Sequence, residues 1–87
     1  MIEIIGLTVA GSHALQLTFS DGTSALWQAD DVIARDTVLT RPLTDAAYFA
    51  RAFIEAGSLA WPNGLEFSGH SLHRRLDEAG ALIQQAA

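Results

Sequence analysis

His70, His73 and Asp77 are spaced i, i+3 and i+7, so on a helix they share one face. Two imidazoles and a carboxylate are the donors a divalent metal takes. One helix does not complete such a site, and His13 is the only other histidine in the chain. The same spacing describes a polar, solvated helix face opposite Leu72 and Leu76, which is the plainer reading. No metal or cofactor is therefore expected. Serine, histidine and aspartate are all present, but a catalytic triad needs its nucleophile on a strained turn beside a base. No Gly-x-Ser-x-Gly occurs, and Ser12 and Ser58 fall in stretches that read as ordinary turns. Carboxylates for acid and base work are available as Asp30-Asp31 or as Glu55 with Glu66. Adjacent aspartates at a helix start act more simply as cap and dipole partners. The glycines at 6, 11, 22, 57, 64, 69 and 80 are too dispersed to cradle a phosphate. The expectation is a protein without catalytic residues, not an enzyme.

Composition narrows the classes further. Eighty-seven residues, 49% of them hydrophobic, suit one domain spanning 1–87 with a single core. Ten acidic residues against five basic ones give a formal charge of −5. That balance argues against direct nucleic-acid binding, which needs clustered cations. Every basic side chain is Arg (35, 41, 51, 74 and 75), so a lysine Schiff base or a lysine-dependent phosphate loop is excluded. The only basic pair, Arg74-Arg75, has Asp77 and Glu78 beside it as partners. With no cysteine there is no disulfide, thiolate metal site or cysteine nucleophile. The start, Met1-Ile2-Glu3-Ile4-Ile5, places an acid where a signal peptide wants basic residues, and no apolar run reaches membrane-spanning length. A cytoplasmic location is expected, with no membrane association.

The elements that would position these residues can be read from periodicity. Residues 2–10 are rich in β-branched and aliphatic types, and Gly11-Ser12-His13 supplies a turn. Leu15, Leu17 and Phe19 alternate with Gln16, Thr18 and Ser20, the period of a half-buried strand. Asp21-Gly22 then marks a hairpin, and 23–28 form the return strand with Trp27 packed inside. The first third thus predicts a three-stranded antiparallel meander. Residues 29–35 suit a short helix capped by Asp30. The stretch 36–43 looks irregular, with Pro42 biasing Arg41 towards an extended conformation. Thr44 offers the next N-cap, with Asp45 just inside the helix. Ala46, Ala47, Phe49, Ala50 and Phe53 recur at helical spacing, which would carry that helix to Ala56 and end it at Gly57. The competing reading ends it near Arg51, with a hairpin of 52–55 and 58–61 around Ala56-Gly57. Ser68 or Ser71 caps a final helix whose apolar stripe runs Leu72, Leu76, Ala79 and Ile83, weakened at Gly80 and fraying over 84–87.

The most informative stretch is Trp61-Pro62-Asn63-Gly64-Leu65-Glu66-Phe67. Pro62 cannot donate to a sheet, so a strand carrying Trp61 should end there. Asn63-Gly64 readily takes the positive φ of a tight turn. Leu65 and Phe67 then alternate with Glu66 in a very short strand. Trp61 is either a core ring or an exposed anchor; at the rim, Trp beside Pro and Asn would suit a protein-contact hot spot. Trp61, Pro62, Asn63 and Gly64 are accordingly the candidate interaction residues.

Taken together, Leu17-Thr18-Phe19-Ser20-Asp21-Gly22, Arg41-Pro42-Leu43-Thr44-Asp45 before Tyr48-Phe49, and Leu59-Ala60-Trp61-Pro62-Asn63-Gly64-Leu65-Glu66-Phe67 make the chain resemble the bacterial domain-of-unknown-function family 2442. The resemblance spans roughly residues 2–76. It implies an α+β fold: an N-terminal three-stranded antiparallel meander, a central short helix, a C-terminal β-hairpin and a C-terminal helix. It thereby favours the shorter helix, with strands near 52–55 and 58–61. It brings no known activity. Similar proteins stand alone, sit beside a second small protein in a toxin–antitoxin-like arrangement, or are fused to a helix-turn-helix domain.

The function these observations favour is a non-enzymatic protein-interaction module that pairs with another small protein or with itself. A meander and a separate hairpin leave at least one sheet edge, and unprotected edges invite pairing. The acidic charge would steer the chain towards a basic partner. The alternatives are an accessory or sensing domain of a transcription regulator, and a small metal-binding enzyme using His70, His73 and Asp77.

Overall fold

A computed structural model describes residues 1–84. Alternation builds the first sheet. Strands β1 (Ile4–Gly11), β2 (Ala14–Phe19) and β3 (Thr23–Gln28) form the antiparallel meander. The register sets Leu7 opposite Leu17 and Ala25, and Val9 opposite Leu15 and Trp27, so one face collects the apolar residues. Leu15, Leu17, Phe19 and Ala25 are fully buried on it. Register shifts between Ile4 and Gly6 and between Val9 and Gly11 bend β1 at both ends. A short β7 (Ile83–Gln84) adds to β3 at Thr23 and Ser24, giving the order β1-β2-β3-β7.

The second sheet is smaller: β4 (Phe53–Glu55), β5 (Ser58–Ala60) and β6 (Glu66–Phe67), in that order and antiparallel. The β4–β5 hairpin turns on Ala56 and Gly57, with φ of 49° and 83°. Two consecutive positive φ values match the twist of the flanking strands, which is why Ala56 tolerates a conformation it otherwise avoids. The hairpin reading of 52–61 therefore holds over the longer helix. Helix α2 (Ala46–Phe49) is a single turn whose C-cap is Ala50. Ser58, placed in a turn by the sequence, is the first residue of β5.

Three local expectations are corrected. Helix α1 (Asp30–Ala34) is entered from Ala29, with no side-chain cap; Asp30 and Asp31 both sit inside its first turn, where they face the helix dipole. Ala29 is fully buried and its N–H is bonded to the His13 carbonyl, which sets the start one residue early. Asp45, not Thr44, caps α2, accepting from the Ala47 N–H at 3.2 Å, while the Thr44 hydroxyl turns back to the Arg41 carbonyl. Residues Arg41–Thr44 are not irregular and extended but one 3-10 turn with Pro42 in its first turn, where the missing N–H costs nothing.

Helix α3 (Gly69–Glu78) buries Leu72 and Leu76 and is capped by Ser68, whose Oγ accepts from the Ser71 N–H at 3.0 Å. It ends at Glu78, short of the predicted stripe. Gly80 adopts φ of 70°, and the Gly80 and Ala81 N–H groups close on the Asp77 and Leu76 carbonyls, a Schellman ending. Ile83 leaves the helix and joins β7, and Gln84 pairs with Thr23 instead of fraying; the rest of the expected fraying tail, 85–87, lies outside the described residues. Among the described residues no helix is long and apolar enough to cross a membrane.

The two sheets meet through the Trp27 ring of β3 on Phe67 of β6, 5.9 Å between centroids, and through a backbone joint. The Ile4 N–H donates to the Gly57 carbonyl at 2.9 Å. Gly69 lies against the same place: a Cβ there would stand 2.7 Å from the Gly57 oxygen and 3.1 Å from both the Ile2 oxygen and the Ile4 nitrogen. All three neighbours are backbone, so only glycine lets α3 approach this closely.

Candidate functional site

Trp61 is a core ring, 1% exposed. It stands among Trp27, Phe49 and Phe67, with ring centroids 5.7–6.3 Å away, offsets at which aromatic quadrupoles attract. Its indole N–H is not left bare: Nε1 donates to the Phe49 carbonyl at 3.0 Å. The indole offers no surface to a partner, whereas Pro62, Asn63 and Gly64 beside it are exposed.

The turn is built as a clasp. The Trp61 N–H reaches the Leu65 carbonyl and the Gly64 N–H the Trp61 carbonyl, with Gly64 at φ of 94°. Asn63 keeps an ordinary negative φ and uses its side chain twice. Oδ1 accepts from the Leu65 N–H at 3.1 Å, an Asx turn, and Nδ2 donates to the Leu39 carbonyl at 3.1 Å. The Asn63 N–H donates to the Tyr48 hydroxyl at 3.0 Å. The four-residue motif thus fastens the 36–41 loop to the second sheet.

That loop presents Val38 and Leu39, 80% and 43% exposed. It is braced from within. The Thr37 N–H donates to Thr40 Oγ1 at 2.9 Å, and the Thr40 N–H returns to Thr37 Oγ1 at 3.1 Å. The Arg41 N–H closes on the Thr37 carbonyl, and its Nε pairs with Asp36 Oδ1 at 2.8 Å. Thr40 is buried beneath, and Asp36 takes φ of 52° to enter the turn. Two apolar side chains are therefore held out in solvent on a backbone that has little freedom left to lose. No periodicity marks them in the sequence; two adjacent aliphatic residues inside the polar run Asp36-Thr37…Thr40-Arg41 are the available signal.

The chemistry-bearing residues disperse. His73 Nε2 meets Asp21 Oδ2 at 2.8 Å, linking α3 to the β2–β3 turn, with its ring edge-on to Phe19 at 5.1 Å. The same carboxylate accepts from the Thr23 hydroxyl at 2.7 Å and the Thr23 N–H at 3.0 Å. These Thr23 bonds first, and the His73 contact after them, hold the Asp21 carboxyl below its ordinary value. His70 goes elsewhere, to the rim of a cleft of about 490 Å³ between the N-terminus, the Ala56-Gly57 turn and the start of α3. His13 Nε2 lies 2.9 Å from the Thr44 carbonyl. Asp77 is exposed. Among the described residues no three histidine or carboxylate side chains converge to hold a metal ion; His70, His73 and Asp77 share a helix without converging.

No family model, curated protein or solved structure matches the chain, so the resemblance noted above stands on its motif residues alone.

Proposed function

We propose that the chain is a non-enzymatic protein-interaction module that docks a basic protein partner through Val38 and Leu39. The observation that carries this reading is the braced exposure of these two residues. An exposed aliphatic pair on a preorganised loop gains contact area on binding with little further loss of conformational entropy. In this reading Pro62, Asn63 and Gly64 serve the surface as the clasp behind it, and Trp61 acts from the core. The loop carries Asp36, ion-paired with Arg41, and is flanked in sequence by Asp30, Asp31, Arg35 and Asp45, all exposed. With the overall charge of −5, this favours approach of a cationic surface. The family resemblance, with its paired small-protein arrangements, supports the same reading.

A photo-activatable side chain at position 38, irradiated in lysate of the source organism, tests it. One basic protein is expected as the adduct. Leu39→Asp, confirmed as folded by circular dichroism, is expected to abolish that adduct, and raised salt to slow its formation. An adduct equally strong in Leu39→Asp, or none at all, rejects the surface.

A further inference from the structure

We infer that Asn63 is a modification site: it deamidates by attack of the Gly64 backbone nitrogen, and its conversion cuts the tie between the turn at 61–65 and the 36–41 loop. The inference does not depend on a partner docking at Val38 and Leu39. Asn63 is the only asparagine in the chain, it is exposed, and the residue after it is glycine. Asparagine is a thermolabile residue, and glycine, with no side chain, lets its own nitrogen approach the preceding carboxamide. The Gly64 nitrogen bonds to Asn63 Cγ, and the Cγ–Nδ2 bond breaks. The proton lost from that nitrogen leaves on the departing ammonia, and a cyclic succinimide remains. Water then opens the ring at either carbonyl, giving aspartate or isoaspartate at position 63. Nothing is oxidised or reduced, and water is the only other reactant.

The fold restrains both reacting groups. The Gly64 N–H is held by the Trp61 carbonyl at 3.1 Å, so the nucleophile is engaged. The Asn63 carboxamide is pinned at either end, Oδ1 by the Leu65 N–H and Nδ2 on the Leu39 carbonyl. Attack therefore needs the turn to open locally. What the reaction destroys is uneven. In aspartate Oδ1 can still accept from Leu65, but the donor to Leu39 becomes a carboxylate oxygen, and two acceptors then face each other. Isoaspartate also adds a methylene to the backbone between 63 and 64, so the Trp61–Gly64 bond loses its present geometry. Either product adds one negative charge to the −5 of the chain. The 36–41 loop keeps its internal Thr37–Thr40 and Asp36–Arg41 bonds and loses its side-chain fastening to the second sheet.

Incubation of the intact chain at mildly alkaline pH, folded and in urea, followed by peptide mapping with mass spectrometry, is the test. Over weeks the folded chain is expected to yield both aspartate and isoaspartate at position 63, at least about tenfold more slowly than the chain in urea. Tyr48→Phe removes the hydroxyl that accepts the Asn63 N–H. With the circular dichroism unchanged, it is expected to quicken conversion in the fold by about two- to tenfold and to leave the rate in urea as it was. The converted chain, separated by anion exchange, is expected to show faster amide exchange at 37–41, with β2 and β3 still protected. An Asn63 that persists in the folded chain, or that gives aspartate alone, overturns the inference. Equal rates in the fold and in urea, or in the parent and Tyr48→Phe, overturn the turn as the restraint. Unaltered exchange at 37–41 in the converted chain overturns the release of the loop.

Discussion

In the four-stranded sheet, Leu15, Leu17 and Phe19 take alternate positions of one strand and vanish from solvent, and the register follows from their spacing. In the three-stranded sheet no strand exceeds three residues, and periodicity has too little length to act. What orders that half is a set of specific contacts: the Ala56-Gly57 turn, the Trp61 indole on the Phe49 carbonyl, and Asn63 reaching both Leu65 and Leu39. One region spreads its stability over many apolar contacts, and the other concentrates it in a few groups. Single substitutions should therefore act more selectively in the second.

The largest effect is expected at Trp61. Trp61→Ala removes the ring shared by Trp27, Phe49 and Phe67 and should cost about 3–5 kcal/mol, read as a lowered urea midpoint. Trp61→Phe keeps an aromatic ring but removes the indole donor to the Phe49 carbonyl, which is left with the Ala52 N–H alone, so a loss of about 0.5–1.5 kcal/mol is expected. A Phe variant as stable as the parent would mean the indole hydrogen bond is not what holds α2 against the second sheet.

Gly69→Ala tests the joint between the sheets. Its methyl would stand 2.7 Å from the Gly57 oxygen, and backbone on both sides must shift to admit it. A cost of about 1–3 kcal/mol is expected, as for other overpacked positions. Amide exchange should rise at Ile4 and through 56–58, with β2 and β3 less affected.

Asn63→Ala acts more locally. It removes two side-chain hydrogen bonds, each worth roughly 0.5–1.5 kcal/mol. The tie to Leu39 is one of them, so exchange at 37–41 should quicken while the meander keeps its protection. Uniform loosening of both regions would erase the distinction drawn between them.

The same contrast explains what the sequence disclosed. Alternation from Leu15 to Phe19 and the Asp21-Gly22 turn made the meander readable, because short-range pattern and burial agree there. The Trp-Pro-Asn-Gly motif was readable as a turn, and Trp61 as either core or rim. Its clasp on Leu39 was not, because Asn63 and Leu39 are joined by a side chain reaching across 24 positions. Asp45 displaced Thr44 as a cap, since two adjacent residues can both fill that role and only the backbone decides. The pairing of β7 with Thr23 and Ser24 was hidden for a different reason: Ile83 continues the helical spacing of Leu72 and Leu76, and only the positive φ of Gly80 breaks it.

The smallest effect belongs to the link that ties α3 to the meander. Asp21 is held below its ordinary value by Thr23 first and His73 after it. A carboxyl depressed in the folded state stabilises the fold at pH above its unfolded value and loses that contribution as pH falls through the folded one. Unfolding free energy should therefore decline on acidification below the ordinary carboxylate range, with Asp21 as one contributor. Asp21→Asn keeps an oxygen for the Thr23 N–H but has no carboxyl to titrate. Its acid limb should be shallower than that of the parent, with the two curves converging at the lowest pH. His73→Gln removes only the later cause, so its limb should lie between the other two. Because the pair is partly exposed, solvent screens it and both changes are small beside Trp61→Ala. Superimposable acid limbs for parent and Asp21→Asn would show that the packing of Leu72 and Leu76, and not this contact, fixes α3 on the sheet.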